Sequence, residues 1–330
     1  MPDSPRIFYF CYDHQKPTGG QKQFYRHVDL LNAAGREAYA LHVQAGFRLD
    51  WFENATPVVS FDQFQGIFDP SRDFLALPED LGERVGSFPG RKVIINQGVY
   101  YGFNVLGLNK PAVYPCLHPE VEAVIVKSTD NETYLRFAYP GIRVLRVMDS
   151  INQDIFQFRP VHQKEKLIAC IPSKNATDLA QVFHLLHSRA EQGINRLDGF
   201  QWAFIQDKSE REVADILNRA LFFVFLSTRE GFGNLPLEAM FSGCLVTAYR
   251  AGPLKEYIQS DNSLPADPGD IISIVRNIEL TVELLRRNTG GPRLISEAAH
   301  RTASRYSLAN QKTDLLRAWN AILASAPRRP

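Results

Sequence analysis

Cysteine is scarce and scattered. The four in 330 residues, Cys11, Cys116, Cys170 and Cys244, form no Cys-x-x-Cys pair. That spacing offers neither a disulfide framework nor a zinc site, and each cysteine sits in or beside an apolar run, so they read as small buried hydrophobes in a reduced compartment. Charge of one sign is also missing: 37 Lys and Arg stand against 36 Asp and Glu, a net charge of +1. So even a balance excludes a global attraction for nucleic acid. Long apolar runs are absent, and none nears the roughly 20 residues that span a bilayer. The opening MPDSPRIFYFCYD has no basic start and no apolar core of the signal-peptide kind. The expectation is a cytoplasmic protein, with peripheral association at the inner face of the membrane left open.

What the chain does have is apolar material, 45% of its residues. That suffices for full cores, and the length suits two domains of about 150 residues each. Short apolar runs alternate with amphipathic segments, the pattern of α/β domains with parallel sheets. RIFYFCY (6–12), AYALHV (38–43), KVIIN (92–96), EAVIVK (122–127) and RVLRV (143–147) read as strands of a first domain over 1–150. Residues 46–91 carry no period that identifies an element. The polar stretch 151–165 reads as a linker. KLIACI (166–171), WAFI (202–205), LFFVFL (221–226) and CLVTA (244–248) are strands of a second domain over 166–306, with helices at 177–190 and 209–219. From 268 onward the pattern is helical, broken at TGGPR (289–293). Two Rossmann-like domains facing a central cleft are expected.

The most informative stretch is LFFVFLSTREGFGNLPLEAMFSG (221–243). It reads as strand, loop and helix, with Asn234 as helix cap and Pro236 in the first turn. Ligands of parallel α/β sheets bind beyond the carboxyl ends of the strands, where this loop lies. Gly231 and Gly233 let a backbone approach closely, and the helix N-terminus favours an anion. Two carboxylates, Glu230 and Glu238, flank the turn with seven residues between them. Carboxylates do not hold phosphate; they accept from hydroxyls. The dinucleotide fingerprint fails because Pro236 takes its third glycine position, and no Lys-Ser or Lys-Thr completes a P-loop. A hydroxyl-rich anionic ligand remains.

These residues resemble the E-x7-E motif of retaining GT-B glycosyltransferases, the family four-like enzymes among glycosyl transferases group 1. PTGGQKQFYRHVDLLNAAGREAYALHV (17–43) resembles that family's N-terminal glycine loop, helix and second strand, IPSKN (171–175) its basic motif, and 251–278 the segment after the paired acids. The similarity covers most of 166–320 and is thinner over 44–120. It implies transfer of a sugar from a nucleotide-diphosphate sugar to an acceptor hydroxyl, with retention, without a metal or other cofactor, in bacterial glycan or polysaccharide synthesis. No clear Asp-x-Asp metal motif is present. The acceptor implied is a glycan, a lipid-linked or a small molecule.

Residue by residue, the resemblance implies that Glu238 binds the ribose hydroxyls and Glu230 lies near the transferred sugar. Phe232, Gly233, Asn234 and Leu235, with Gly231, would line the donor. Lys174 would neutralise the leaving diphosphate, a charge that grows as the bond breaks. Ser173 stands where the family has an arginine; Arg229 and Arg250 are the nearby cations that could compensate. Gly19 and Gly20 would form the N-terminal donor loop, although a plain turn also explains them. Lys16, Gln21 and Tyr100 are acceptor candidates; Tyr100 is equally readable as packing. His118 falls near the position of a family histidine, though a lone histidine is more often structural. The helix at 307–324 is expected to pack back on the N-terminal domain. Two rivals stay open: a nucleotide-sugar epimerase on the same scaffold, and a non-catalytic sugar-binding partner of another transferase.

Overall fold

The computed structural model describes residues 4–104, 108 and 114–324. The chain forms two compact units. One runs to Asp149 and resumes at Ala309; the other is Ser150–Leu308.

The first unit holds strands β1 (Ile7–Phe10), β2 (Ala38–His42), β3 (Val58–Ser60), β4 (Phe74–Pro78), β5 (Arg91–Asn96), β6 (Val121–Val126) and β7 (Val144–Arg146). Helix α1 (Gly19–Asn32) follows β1, α2 (Phe61–Ile67) follows β3, α3 (Val99–Asn104) follows β5, and α4 (Thr129–Ala138) follows β6. The strands make one parallel sheet in the order β3-β2-β1-β4-β5-β6-β7. Every residue of β1 and β4 is buried, as befits central parallel strands covered on both faces. The unread stretch 46–91 contains β3, α2 and β4. Its first strand is three residues long and its helix seven, too short for a period to emerge. Helix α2 is instead fixed by a capping box between Ser60 and Gln63.

The second unit holds β8 (Glu165–Cys170), α5 (Ala176–Glu191), β9 (Gln201–Phe204), α6 (Glu210–Arg219), β10 (Ala220–Phe225), α7 (Asn234–Phe241), β11 (Leu245–Tyr249), β12 (Leu264–Ala266), α8 (Ile271–Arg286) and α9 (Gly291–Ala303). Its sheet is parallel too, in the order β12-β11-β10-β8-β9. Strand β12, with Pro265 inside it, escapes a sequence reading. It lies at the sheet edge, where proline is tolerated. The stretch expected to be a linker packs on this unit: Ile151 and Phe156 are buried in its core, and the Ile151 N–H donates to Tyr306 O at 2.9 Å. Two apolar side chains among polar neighbours anchor it, a signal too sparse to show as a period.

The last helix, α10 (Leu308–Leu323), belongs almost wholly to the first unit. Leu315, Trp319 and Ile322 are fully buried beside Ile7, Tyr9 and Phe74, and Trp319 Nε1 donates to Tyr9 Oη at 2.9 Å. A buried tryptophan of this kind is worth about 3–5 kcal/mol against alanine, so α10 is part of that core. All four cysteines are buried and free. Among the described residues no helix is long and apolar enough to cross a membrane.

Candidate functional site

Both sheets change direction at one point. In the second unit β9 lies on one side of β8 and β10 on the other, so the loops leaving the carboxyl ends of β8 and β10 diverge and leave a crevice. Lys174 follows β8, and Glu230 follows β10. Their side chains meet there, with Lys174 Nζ 2.6 Å from Glu230 Oε1. The contact is an ion pair by distance whose angle does not make a hydrogen bond. The Lys174 side chain is one-third exposed and that of Glu230 only 11%. The lysine loop is tied to the neighbouring strand by Asn175. This residue adopts a left-handed conformation (φ 67°), caps α5 by accepting from the Asp178 N–H, and donates from Nδ2 to Leu226 O at 3.3 Å. Tyr249 Oη, from the end of β11, donates to Asp178 Oδ2 at 2.7 Å and braces the same turn.

The glycine turn has a cause behind it. Gly233, at φ 87°, is the residue that caps α7; Asn234, expected to cap, is the first helical residue. No side chain caps this helix. Tyr257 Oη sits beneath the turn, 3.0 Å from Phe232 O and 2.7 Å from Gly233 O, and donates to these carbonyls. A Cβ on Gly233 would lie 2.6 Å from that hydroxyl. Only glycine therefore fits, on grounds of both φ and space. With its carbonyls directed at Tyr257, the loop is held from behind. Burial pushes the Tyr257 hydroxyl well above its ordinary pKa, with the nearby Glu230 adding to the shift, so it remains a donor. Phe232 is buried, its ring packed between those of Tyr257 and Tyr306. Glu238 lies in the second turn of α7 and is 4% exposed. Gly231 is buried, while Asn234 and Leu235 are half-buried.

The remaining candidates of this unit divide. Ser173 is exposed beside Lys174. Arg250 is engaged elsewhere: its guanidinium donates to Ile258 O and Gln259 Oε1, both at 3.1 Å. It holds the segment after β11.

In the first unit Gly19 and Gly20 open α1 beyond the carboxyl end of β1, and Thr18 makes no side-chain cap. Gln21 is buried, with Nε2 2.7 Å from His14 Nε2. Lys16 is exposed. Tyr100, on α3, lies edge-on to Tyr134, with centroids 6.3 Å apart. His118 is elsewhere. It precedes β6 and so sits at the amino end of a parallel sheet, whereas Gly19, Gly20 and Tyr100 follow strands and share the carboxyl edge. Its neighbours are Glu120, 3.9 Å away, and Gly86, where a Cβ would lie 3.1 Å from Nε2. The spacing that suggested it overlooked that the next strand begins at Val121, three residues after it.

Tyr257, Asn175 and Tyr249 are the functional supports that sequence reasoning missed. Each acts through a contact between segments far apart in the chain, for which a single sequence carries no sign. Among the described residues no group of three or more His, Cys, Asp and Glu is arranged to hold a metal ion.

Comparison with known proteins agrees with this geometry. Residues 199–289, which include the paired acids, match the family described as glycosyl transferases group 1. The chain is 27% identical over 256 residues to an alpha-1,6-glucosyltransferase of Actinobacillus pleuropneumoniae, covering 73% of this chain and 72% of that one. Among solved structures, the sucrose-phosphate synthase of Thermosynechococcus elongatus superposes with a TM-score of 0.70 at 13% identity, over 98% of this chain and all of the other. HepE of Anabaena, in complex with UDP and glucose, superposes with a TM-score of 0.65, also at 13% identity, over 96% and 100%. At such identities these two likenesses speak for the fold. The fold they show is GT-B, two units each built on a parallel sheet, and the family match covers the segment of the second unit that holds the paired acids.

Proposed function

We propose that the chain moves a glucosyl or related hexosyl group from a UDP-sugar to an acceptor hydroxyl, with retention at the anomeric carbon, in the synthesis of a bacterial glycan. The observation that carries this reading is the meeting of Lys174 and Glu230 at 2.6 Å, on the loop that leads through Gly233 into the helix that bears Glu238 and that no side chain caps. Its support as to donor is indirect: HepE is described with UDP and glucose, and the Actinobacillus relative is an alpha-1,6-glucosyltransferase.

In this reading the diphosphate lies at the N-terminus of α7, where N–H groups and the helix dipole favour negative charge. Its approach draws Lys174 from Glu230. The carboxylate so released accepts from hydroxyls of the transferred sugar, and Glu238 accepts from those of the ribose. As the bond from the anomeric carbon to the diphosphate breaks, negative charge gathers on the leaving oxygen and Lys174 is worth more than in the ground state. The new bond forms from the acceptor oxygen on the same face, and its proton passes to the leaving diphosphate. Glu230 orients; it is not the nucleophile.

Calorimetric titration with UDP, GDP, ADP and dTDP tests the donor site. UDP is expected to bind, and more weakly to Glu238→Ala. Absence of binding by folded protein for all four sinks the reading. Proton NMR of the product formed from UDP-glucose reports retention directly. Conversion of the donor sugar without an acceptor would instead mark an epimerase.

A further inference from the structure

The Lys174–Glu230 contact joins two side chains whose backbones are held. The Lys174 N–H donates to Ile171 O at 3.2 Å, and the next residue, Asn175, is tied to Leu226 O. Glu230 sits on the loop that Tyr257 Oη holds through Phe232 O and Gly233 O. What is free to move is the lysine side chain, long, flexible and one-third exposed, whereas that of Glu230 is 11% exposed. Glu230 Oε1 accepts no hydrogen bond, and Lys174 Nζ, 2.6 Å away, is its counter-charge. The Tyr257 hydroxyl does not stand in for the lysine, because its proton is directed at the two carbonyls. A carboxylate so enclosed has lost much of its hydration, and removing its cation leaves that charge uncompensated. A second anion that comes for Lys174 must therefore either draw it away from Glu230 or lie beside the carboxylate and be repelled by it.

We propose that this ion pair distinguishes the intact donor from the spent nucleotide and drives release of the latter. The inference rests on the transferase reading above and adds to it the fate of the product. A nucleotide-diphosphate sugar brings its own replacement for the lysine: as the diphosphate takes Lys174, the sugar hydroxyls donate to Glu230. The free nucleoside diphosphate brings none. Once the sugar has left, the Glu230 carboxylate again lacks hydrogen bonds, and its neighbour is a diphosphate whose terminal phosphate has a further oxygen to ionise. Lys174 returns to Glu230, and the nucleotide loses the cation that held it. Charge alone would order the ligands the other way, since the free diphosphate is the more negative and attracts a lysine more strongly than its glycosyl ester does. Glu230, by competing for Lys174, opposes that preference and so limits inhibition by product.

The test is calorimetric titration of the full chain with UDP and with UDP-glucose. Glu230→Gln keeps the shape of the side chain and removes its charge. It is expected to bind UDP about fivefold more tightly than wild type, the contribution of one partly exposed ion pair no longer in competition. UDP-glucose should bind it no more tightly than wild type. A loosened loop would weaken both ligands, so tightening for UDP alone is not a structural effect. In a Lys174→Ala background the same substitution should leave UDP affinity within about twofold, because the contested cation is gone. Tightening that persists there would come from repulsion by the carboxylate alone and overturns the inference. Equal UDP affinity in Glu230→Gln and wild type, or equal tightening for both ligands, overturns it too. Wild type serves where the variant does not fold: UDP-glucose should bind it at least as tightly as UDP, and the reverse order overturns the inference. UDP binding that Glu238→Ala weakens and Glu230→Gln leaves unchanged overturns this inference and spares the donor reading. No binding of either ligand by folded wild type and folded Glu230→Gln overturns both.

Discussion

The two sheets share a plan and differ in what fills it. Each is parallel, and each reverses direction beside its first strand, β8 in the second unit and β1 in the first. At the carboxyl edge of the second stands an ion pair, Lys174 with Glu230, and a second carboxylate, Glu238, lies on the short helix that follows. At that of the first stand an amide and a carboxyl, those of Gln97 and Glu79, with unpaired atoms and no ion pair between them. In the proposed function the second unit's edge meets a diphosphate, whose charge needs a counter-charge at the moment of bond breaking, and Lys174 is the group that would supply it.

The sharpest way to break this comparison is to remove the counter-charge. Lys174→Ala is expected to lower kcat by about 100-fold or more, the usual loss when one fixed group opposite developing charge is deleted. Lys174→Arg should recover part of it. A drop confined to KM, with kcat intact, would assign Lys174 to ground-state binding alone and void the distinction between the two edges.

The other edge has its own signature, in stability. Because burial on folding raises the Glu79 carboxyl from 4.5 to about 7, the folded state binds this proton more tightly than the unfolded one. Stability from this source is therefore highest at low pH and falls as pH rises from about 4.5 through 7. A shift of that size corresponds to about 3 kcal/mol. Glu79→Gln should remove the loss, so the gap between variant and wild type, from urea melts at pH 5 and pH 8, should widen with pH in favour of the variant. His27 shifts the opposite way, down to about 3 by burial near Lys127 and Arg26, and opposes folding below its unfolded value of 6.5. It is common to both proteins and cancels in the difference. A gap that does not grow with pH would mean that Glu79 is ionised in the folded protein, and the contrast in charge between the two edges would fail.

A smaller effect probes how the donor edge keeps its shape. Tyr257→Phe removes the hydroxyl that holds the carbonyls of Phe232 and Gly233 and should cost about 1–2 kcal/mol of stability, with weaker UDP binding as the turn loosens. Gly233→Ala places a methyl 2.6 Å from the same hydroxyl. Its cost should shrink in the Tyr257→Phe background, where the nearer obstruction is gone, although Leu254 Cδ1 at 3.1 Å and the strain of a positive φ persist. Strictly additive melting shifts would show that Tyr257 does not press on the turn.

Such pairings mark the boundary of what the sequence discloses. Long apolar runs such as LFFVFL announce β10, and the acid–glycine–acid spacing announces the loop behind it, because both are local. The Lys174–Glu230 contact could be anticipated only through the resemblance that named both residues. Tyr257 under Gly233, Asn175 reaching Leu226 and Glu79 beside Gln97 join segments between 18 and 51 positions apart. No periodicity encodes them. Residues 46–91 were opaque for another reason: β3 and α2 are short, and their placement depends on neighbouring strands rather than on their own pattern.

The smallest effect expected belongs to His118, and its smallness is informative. A site at a direction change draws only on loops that follow strands, since those alone reach the carboxyl edge. His118 precedes β6, beside Glu120 and against Gly86, at the opposite edge of its sheet. His118→Ala should leave kcat and the affinity for UDP within about twofold, and shift stability by no more than the ~0.5 kcal/mol usual for a partly exposed side chain. Placed next to Lys174→Ala in one assay, it is the control that separates position in the sheet from residue type. Histidine is a frequent general acid or base, so residue type alone would favour it. If His118→Ala proves as damaging as Lys174→Ala, chemistry at this protein's site is not confined to the carboxyl edges, and the comparison between the two crevices fails with it.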